Sequence, residues 1–413
     1  MPIDLTKSRH ALAFIVFVVL LDAISFGIVL PVMPKLIMSL ADVSLSEASK
    51  IGGFLMFTYA SVQFFAAPIL GNLGDRFGRR PILLYTLAAL GADFLLMAAA
   101  PTIAWLFAAR IIAGVASSSF SLAYAYVTDI TPKENRAQRF GMIGAAFGGG
   151  FVLGPVIGGL LGEFGPRIPF YAAACLALVN LVYGYFMLGE SLSKENRREF
   201  DIRRANPIGA VLQLKKYPVI LGLAFAYFLY MIGHLSMPST WTYYTIEKFS
   251  WSESQIGLSL GFAGIFMIIV QAGLIRWAIP AFGAYRAGIF GMVAVIIGFC
   301  GYAFSAQGWQ MYPWLAVAAL SGFVSPAFQA IMTSQVPSNA QGELQGALSS
   351  LNSITSIIGP LLMTQLFAAF TRVESSIYFP GVSFFAAAVL SLVCLMIFVP
   401  VVRKHGLITL GKK

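Results

Sequence analysis

Long stretches without a single ionised side chain constrain this chain more than any other feature. Residues 51–74, 140–162, 168–189, 217–246, 254–275, 344–371 and 375–402 contain no Lys, Arg, Asp or Glu. Residues 287–342 are equally bare and long enough for two passes around Gln307-Gly308-Trp309-Gln310, while 11–34 carry only Asp22 and 81–109 only Asp93. About 20 apolar residues in a helix cross the roughly 30 Å hydrocarbon core of a bilayer. Read this way, the chain has twelve helices, starting near Ala11, Lys50, Pro81, Ile103, Arg139, Ile168, Val219, Ser254, Ala287, Tyr312, Leu344 and Ser376. Of its 413 residues, 58% are hydrophobic and 11% charged, against about 25% charged in a soluble domain. A water-soluble fold of this size has nowhere to hide so much apolar surface, so the solvent is lipid.

The net charge of +10 would suggest nucleic acid in a soluble protein. Here it is a topology signal. With twelve passes, one side collects Lys7, Arg9, Arg76, Arg79, Arg80, Lys133, Arg136, Arg139, the 194–216 loop, Arg276, Arg286 and the basic tail. The other side keeps only Lys35, Lys50, Arg167, Lys248 and Arg372. The positive-inside rule makes the first side, with both termini, cytoplasmic. The first apolar run is too long for a cleavable signal, lacks a small-residue cleavage site and contains Asp22, so it reads as a span. Cys175, Cys300 and Cys394 lie far apart in apolar spans and are expected as buried thiols, with no disulfide framework and no metal-ligand spacing.

The longest polar stretch, from Gly189 to Pro218, separates six spans from six. The expected organisation is a six-helix bundle over 1–189, a cytoplasmic linker over 190–217, and a second six-helix bundle with a short basic tail over 218–413. The halves echo each other. Ile51-Gly52 returns as Ile256-Gly257, Phe77-Gly78 as Phe282-Gly283 and Gly154-Pro155 as Gly359-Pro360, each 205 residues on. Met33-Pro34 returns as Met237-Pro238, one residue out of that register. Duplicated halves are a common plan of secondary transporters, with the substrate near the bilayer midplane.

Three charges sit deep in spans: Asp22, Asp93 and Arg110. At about 1.5 Å per residue, both carboxylates lie roughly 18 Å from the cytoplasmic ends of their helices, and Arg110 roughly 10 Å in from the outer side. All three fall near the midplane. A charge there costs about 2.5–3.5 kcal/mol on insertion scales. One reading is a structural ion pair that fastens spans one, three and four. The other is proton coupling, with Asp22 the better carrier candidate and Arg110 deciding which carboxylate stays ionised. Softer candidates for a substrate site are Gln63, His234, Gln271, Gln329 and Tyr230, beside Asn180 and Asn352. Intramembrane amides are more often interhelical fasteners, whereas His234 has an ordinary titration range suited to proton exchange. Tyr227, Phe228, Trp241 and Tyr243 would line a drug-accepting cavity or simply pack.

Two further strings carry a pattern. Gly71-Asn72-Leu73-Gly74-Asp75-Arg76-Phe77-Gly78-Arg79-Arg80-Pro81 lies between spans two and three, and Gly149-Gly150-Phe151-Val152-Leu153-Gly154-Pro155-Val156-Ile157-Gly158-Gly159 lies within span five. The first resembles the signature loop of the major facilitator superfamily. The second resembles the span-five motif of its drug/proton antiporters, although small residues and one proline also suffice for close packing and a kink. The resemblance extends to the tetracycline-resistance efflux proteins. It rests on Leu21-Asp22-Ala23-Ile24, Leu30-Pro31-Val32-Met33-Pro34, Ala109-Arg110-Ile111-Ile112-Ala113-Gly114, Tyr126-Val127-Thr128-Asp129-Ile130-Thr131, Ser325-Pro326-Ala327-Phe328-Gln329-Ala330 and Gln341-Gly342-Glu343-Leu344-Gln345-Gly346.

That resemblance implies a gate in which Asp75 meets a helix end of the other half and Arg79 meets Asp129, with Gly71, Arg76, Gly78 and Arg80 completing the loop. Pro280 and Ala284 of the second half lack the corresponding charges. It also implies an antiporter motif of Gly150, Gly154, Pro155, Gly158 and Gly159, and puts the family's acids on Asp22 and Asp93, its span-four arginine on Arg110 and its span-two glutamine on Gln63. Val295 and Met267 stand where the tetracycline pumps carry an Asp and a His, which points away from a cationic metal–tetracycline complex and toward a lipophilic drug or metabolite.

The expectation is therefore an all-α membrane protein of the major facilitator fold, with twelve transmembrane helices in two pseudo-symmetric bundles, in a bacterial inner membrane. It acts as a monomer and exchanges protons for a small-molecule substrate, with no cofactor, metal or nucleic acid. The rivals are a proton-coupled importer and a transport-inactive receptor or scramblase on the same scaffold. An enzyme is not expected, because no nucleotide loop, metal cluster or nucleophile–base spacing occurs.

Overall fold

In a bilayer core every backbone N–H and C=O must be satisfied within the protein, which leaves a chain of this composition the helix. The computed structural model describes residues 5–116, 119–199, 218–337 and 340–407, with backbone alone at 5–11, 119, 120, 133, 137 and 218. No strand occurs among the described residues. The first half runs α1 (Leu5–Val29), the short α2 (Met33–Ala41), α3 (Leu45–Phe77), α4 (Arg79–Ala99), α5 (Ile103–Ala116), α6 (Ser119–Ile130), α7 (Arg136–Gly162) and α8 (Ile168–Met187). The second runs α9 (Pro218–His234), α10 (Ser236–Phe249), α11 (Glu253–Ile268), α12 (Ile275–Phe304), α13 (Met311–Ala319), α14 (Val324–Ser334), α15 (Gln341–Thr371) and α16 (Val382–Lys404).

Eleven helical runs among the described residues are long and apolar enough to cross a membrane. One of them, Glu253–Phe304, has 52 residues, about 78 Å of helix against a core of roughly 30 Å. It breaks at Gly283, whose φ of 80° and ψ of 156° are not helical, so it holds two passes and the described residues make twelve. Hydroxyls inside the spans bond back to their own helix: Thr86 donates to the Leu83 carbonyl at 2.8 Å, Thr240 to Ser236 at 2.6 Å and Thr364 to Pro360 at 2.8 Å. These three buried hydroxyls are thereby carried into their spans without an open donor.

Several expectations shift. The final span starts at Val382 rather than near Ser376, because Phe379 turns back to donate its N–H to the Phe370 carbonyl at 3.0 Å before the helix begins. Span seven is broken between His234 and Ser236, and span eight contains a π turn over Ile269–Leu274. Only Cys394 of the three thiols is buried. Cys175 is exposed on α8, and Cys300 is half-buried.

The chain divides into two compact units. The first comprises Met1–Val43, Thr58–Asn206 and Ser252–Gly261, and the second Ser44–Phe57, Pro207–Trp251 and Phe262–Lys413. In the first, α1 packs along α7 and α8, and α4 along α5 and α8. In the second, α16 packs along α9 and α12. Its core is aromatic: Trp241, Tyr302 and Phe384 meet edge to face, and Tyr244 meets Phe384 in the same way. The short segments that join the opposite unit are anchored there. Gly53 lies so close to Thr364 that a Cβ would meet its hydroxyl at 1.9 Å, and Ser46 donates to the Ala368 carbonyl at 2.8 Å. Likewise, the buried Glu253 pairs with Lys35 of α2.

The repeat read from the sequence reaches the backbone. Gly78 and Gly283 each follow a Phe, each ends one helix and begins the next, and both have positive φ, 105° and 80°. Residues with a Cβ rarely tolerate that conformation. Pro155 and Pro360 likewise both sit inside long helices.

Candidate functional site

The charged residues of the first unit form two groups. Arg110 on α5 reaches across to α4, where its Nη2 bonds Asp93 Oδ2 and lies 2.9 Å from Met97 Sδ. Its guanidinium also sits 5.8 Å from the centre of the Tyr59 ring, a cation–π contact. Asp93 is fully buried, and its Oδ1, like Arg110 Nε, has no hydrogen-bond partner. Two opposite charges taken out of water stabilise each other only as long as both remain. The pair is a fixed electrostatic unit joining spans three and four.

Asp22 is held differently. It is half-buried on α1, and its Oδ1 accepts a hydrogen bond of 3.2 Å from Asn180 Nδ2 on α8. The same nitrogen donates to the Val18 carbonyl, also at 3.2 Å. Asn180 is wholly buried. Sequence reading ranked it with the interhelical fasteners, because nothing in a single sequence says which helix faces Asp22.

The signature loop is a turn at Gly78 between α3 and α4. Arg79 pairs with Asp75 at 2.6 Å and with Asp129 of α6 at 3.4 Å. Ser191 Oγ donates to the same Asp129 oxygen at 3.0 Å. Sequence reading missed the acid at the centre of this group, Glu190. Its carboxylate accepts the backbone N–H groups of Arg79 at 2.8 Å, Arg80 at 3.3 Å, Ser191 at 3.0 Å and Leu192 at 3.1 Å. It thus satisfies the open N–H groups at the start of α4, where the helix dipole also favours an anion. Arg80 donates to the Tyr185 carbonyl at 2.8 Å, and the Arg198 N–H donates to that of Asp75 at 3.1 Å. Arg76 stands over Phe77 at 5.1 Å, while Gly71 has open space on its side-chain face.

The span-five motif is a packing seam. Cβ atoms built on Gly150, Gly154 and Gly158 would lie 2.6, 2.6 and 2.1 Å from the carbonyl oxygens of Leu20, Ile24 and Ile28 on α1. Pro155 closes the same seam against Gly27, and Gly159 faces the Glu253 carbonyl at 2.3 Å by the same measure. The glycines recur every four residues, which aligns them on one face of α7 and brings α1, with Asp22, against it.

The softer candidates are scattered. Gln63 is half-buried in the first unit. In the second, Tyr230 is buried with its hydroxyl 3.4 Å from the Ser321 carbonyl. His234 stacks on Tyr230 at 5.7 Å, and its Nδ1 has no partner. Gln271 is exposed in the π turn, and Gln329 is exposed and donates to Gln345 at 3.1 Å. Tyr227, Trp241 and Tyr243 are packed in the core of this unit. Val295 is buried and Met267 half-buried. No group of three or more His, Cys, Asp or Glu side chains among the described residues is arranged to hold a metal.

Twelve apolar passes, halves repeated at one offset and isolated charges inside the spans define a multi-pass membrane transporter of the inner membrane rather than an enzyme. The model of the Major Facilitator Superfamily matches residues 15–360. The chain belongs to that family. It is 40% identical to the class C tetracycline resistance protein of Escherichia coli, over 94% of this chain and 96% of that one. It is 34% identical to the class G protein of Vibrio anguillarum, over 96% and 98%, and 32% identical to the class B protein of Escherichia coli, over 85% and 86%. Among solved structures it resembles a nucleoside transporter, with a TM-score of 0.78 and 14% identity over 95% of this chain and 99% of that one. It also resembles a bacterial homologue of the human lysosomal transporter Spinster, with a TM-score of 0.79 and 14% identity over 97% and 98%. At such identity these two speak for the fold alone.

Proposed function

We propose that this protein is a proton-coupled exporter, exchanging protons for a small lipophilic drug-like compound or metabolite by alternating access. The observation that carries the reading is the contrast between two intramembrane acids. Asp93 is paired with Arg110 and fully buried, whereas Asp22 is half-buried and accepts a hydrogen bond from a neutral amide on α8. A carboxylate at that depth is costly, and those kept there commonly serve ion or proton pathways. In this reading Asp22 is the proton carrier and the Asp93–Arg110 pair sets the field around it. The loop of Asp75, Arg79, Asp129 and Glu190 is a gate on the cytoplasmic face. Each proton returning across 100 mV supplies about 2.3 kcal/mol. The tetracycline resistance relatives support the export direction, while Val295 and Met267 favour an uncharged or organic substrate over a metal complex.

The test uses inside-out vesicles containing the protein and a panel of lipophilic dyes. Acidifying the lumen drives dye uptake by an antiporter and not by an inward symporter. Asp22→Asn abolishes uphill uptake but leaves downhill exchange in place. Normal pumping by Asp22→Asn removes the proton role, and uptake driven only by the opposite pH gradient turns the reading into import.

A further inference from the structure

We infer that Asn180 is the positioning residue for the Asp22 carboxylate, so that the protonation of Asp22 is read by the contact between α1 and α8. The inference rests on the reading of Asp22 as the proton carrier. Its basis is the way the amide is used. Both hydrogen bonds of Asn180 leave from Nδ2, one to Asp22 Oδ1 and one to the Val18 carbonyl, four residues earlier on the same helix. A carbonyl oxygen only accepts, so the Val18 contact fixes which end of the amide faces α1. Asn180 therefore donates to Asp22. Meanwhile its own Oδ1, inside a fully buried side chain, has no partner. An amide kept as a fastener would use both ends, because an open buried acceptor is itself unfavourable. This one spends both donors on a single turn of α1.

The helix α8 carries no Asp, Glu, Lys or Arg, and its titratable groups are Tyr171, Cys175, Tyr183 and Tyr185. Of these, Tyr183 packs against α1 at Phe14 and Phe17. Besides α8, α7 and α6 pack on α1, and Leu83 and Leu87 of α4 share a core with Phe14 and Val18. The charges of α4 are Arg79 and Arg80 at its start and Asp93, which is paired with Arg110. The charges of α7 are Arg136 and Arg139 in its first turn, with Arg136 bonded to the Thr128 and Thr131 carbonyls. The one charge of α6, Asp129, is held by Arg79 and Ser191, and its Tyr126 donates to the Gly189 carbonyl. Tyr124 of α6 packs on Phe140. A hydrogen bond to a carboxylate is stronger than one to the neutral acid. Loading a proton on Asp22 thus weakens its tie to α8 and loosens α1 on that side, a local change of the kind a transport cycle requires.

Infrared difference spectra between acid and alkaline pH test this on the whole protein in lipid nanodiscs, with the proton as the only ligand. Asp22→Asn removes one carboxylic acid C=O band and so assigns it. Asn180→Leu, which keeps the shape but not the donors, raises the frequency of that band and displaces its pH midpoint by about tenfold in proton concentration. Asn180→Gln, which keeps the donor, stays near the wild-type frequency. If Asn180→Leu does not fold, Asn180→Ala, which also lacks a side-chain donor, takes its place. A band and midpoint unchanged in these variants, beside a lower melting temperature, make Asn180 structural and overturn the inference alone. A band set that survives Asp22→Asn intact overturns it together with the proton role of Asp22.

Discussion

Gly78 and Glu190 occupy one small space: a Cβ on the glycine would lie 2.2 Å from Oε2 of the glutamate. The positive φ of Gly78 turns the chain, and the turn presents the first N–H groups of α4 to the carboxylate. Gly78→Ala therefore meets two obstacles, backbone strain of about 1–3 kcal/mol in a region that only glycine adopts readily and a collision with the cap. Glu190→Ala removes the collision but hands the first backbone donors of α4 to water, at about 0.5–2 kcal/mol. Thermal unfolding in detergent should show both single variants destabilised and the double variant less so than their sum. Strict additivity would mean that the two residues do not share this space.

The span-five glycines lend themselves to a contrast within one helix. Gly158→Ala puts a methyl group 2.1 Å from the Ile28 carbonyl, while Gly144 and Gly148 have open space around the same position. Forcing α1 and α7 apart should lower stability by several kcal/mol, as overpacking does at its upper end. Gly148→Ala should be neutral or stabilising by up to about 1 kcal/mol, from helix propensity alone. Equal melting temperatures for Gly158→Ala and Gly148→Ala would remove the seam.

How much of this was legible beforehand follows from the range of each interaction. The spans were legible because lipid rejects charge along the whole length of a segment, so composition alone marks them. The signature loop was legible because its Asp75, Gly78 and Arg79 are neighbours in sequence; the Phe-Gly repeat was legible as a mark of duplication, and the turn at Gly283 came from the structure. The break between His234 and Ser236 and the π turn at Ile269–Leu274 leave no trace in hydropathy. Nor do pairings such as Glu190 with Arg79, Asn180 with Asp22, or Lys35 with Glu253, which lie 111, 158 and 218 residues apart. Each depends on how a helix is rotated against its neighbour, and the surfaces of these spans are apolar all round. The span-five string shows the opposite difficulty: its pattern was plain, and only the structure reveals that its glycines seat α1.

Asp93 and Arg110 predict an asymmetry between single and double variants. Asp93→Asn leaves a buried guanidinium without its counter-charge, and Arg110→Met leaves a buried carboxylate. Each should cost about 3–5 kcal/mol, the usual result of breaking a buried pair. Combining Arg110→Met with Asp93→Leu should recover most of that loss in a melting experiment. Recovery of stability without recovery of uphill dye transport in vesicles would assign the pair to coupling. Recovery of both would make it a fastener of α4 and α5.

Val295 bears on the substrate class proposed above. It is 1% exposed and lies one helical turn from Gly291 and from Phe299, on the side of α12 that is packed inside the unit. A carboxylate introduced there has no cation to meet among its neighbours in sequence, and a charge at the centre of a span costs about 2.5–3.5 kcal/mol. Val295→Asp should therefore reduce the yield of folded protein, as judged by size-exclusion chromatography of a fluorescent fusion. Met267→His, at a half-buried position beside Gly322, should be tolerated. Wild-type vesicles should accumulate lipophilic dyes without dependence on Mg²⁺ and should show no Mg²⁺-dependent accumulation of tetracycline. Robust Mg²⁺-dependent tetracycline uptake by the unmodified chain would show that the complex is recognised by groups other than an acid at 295 and an imidazole at 267.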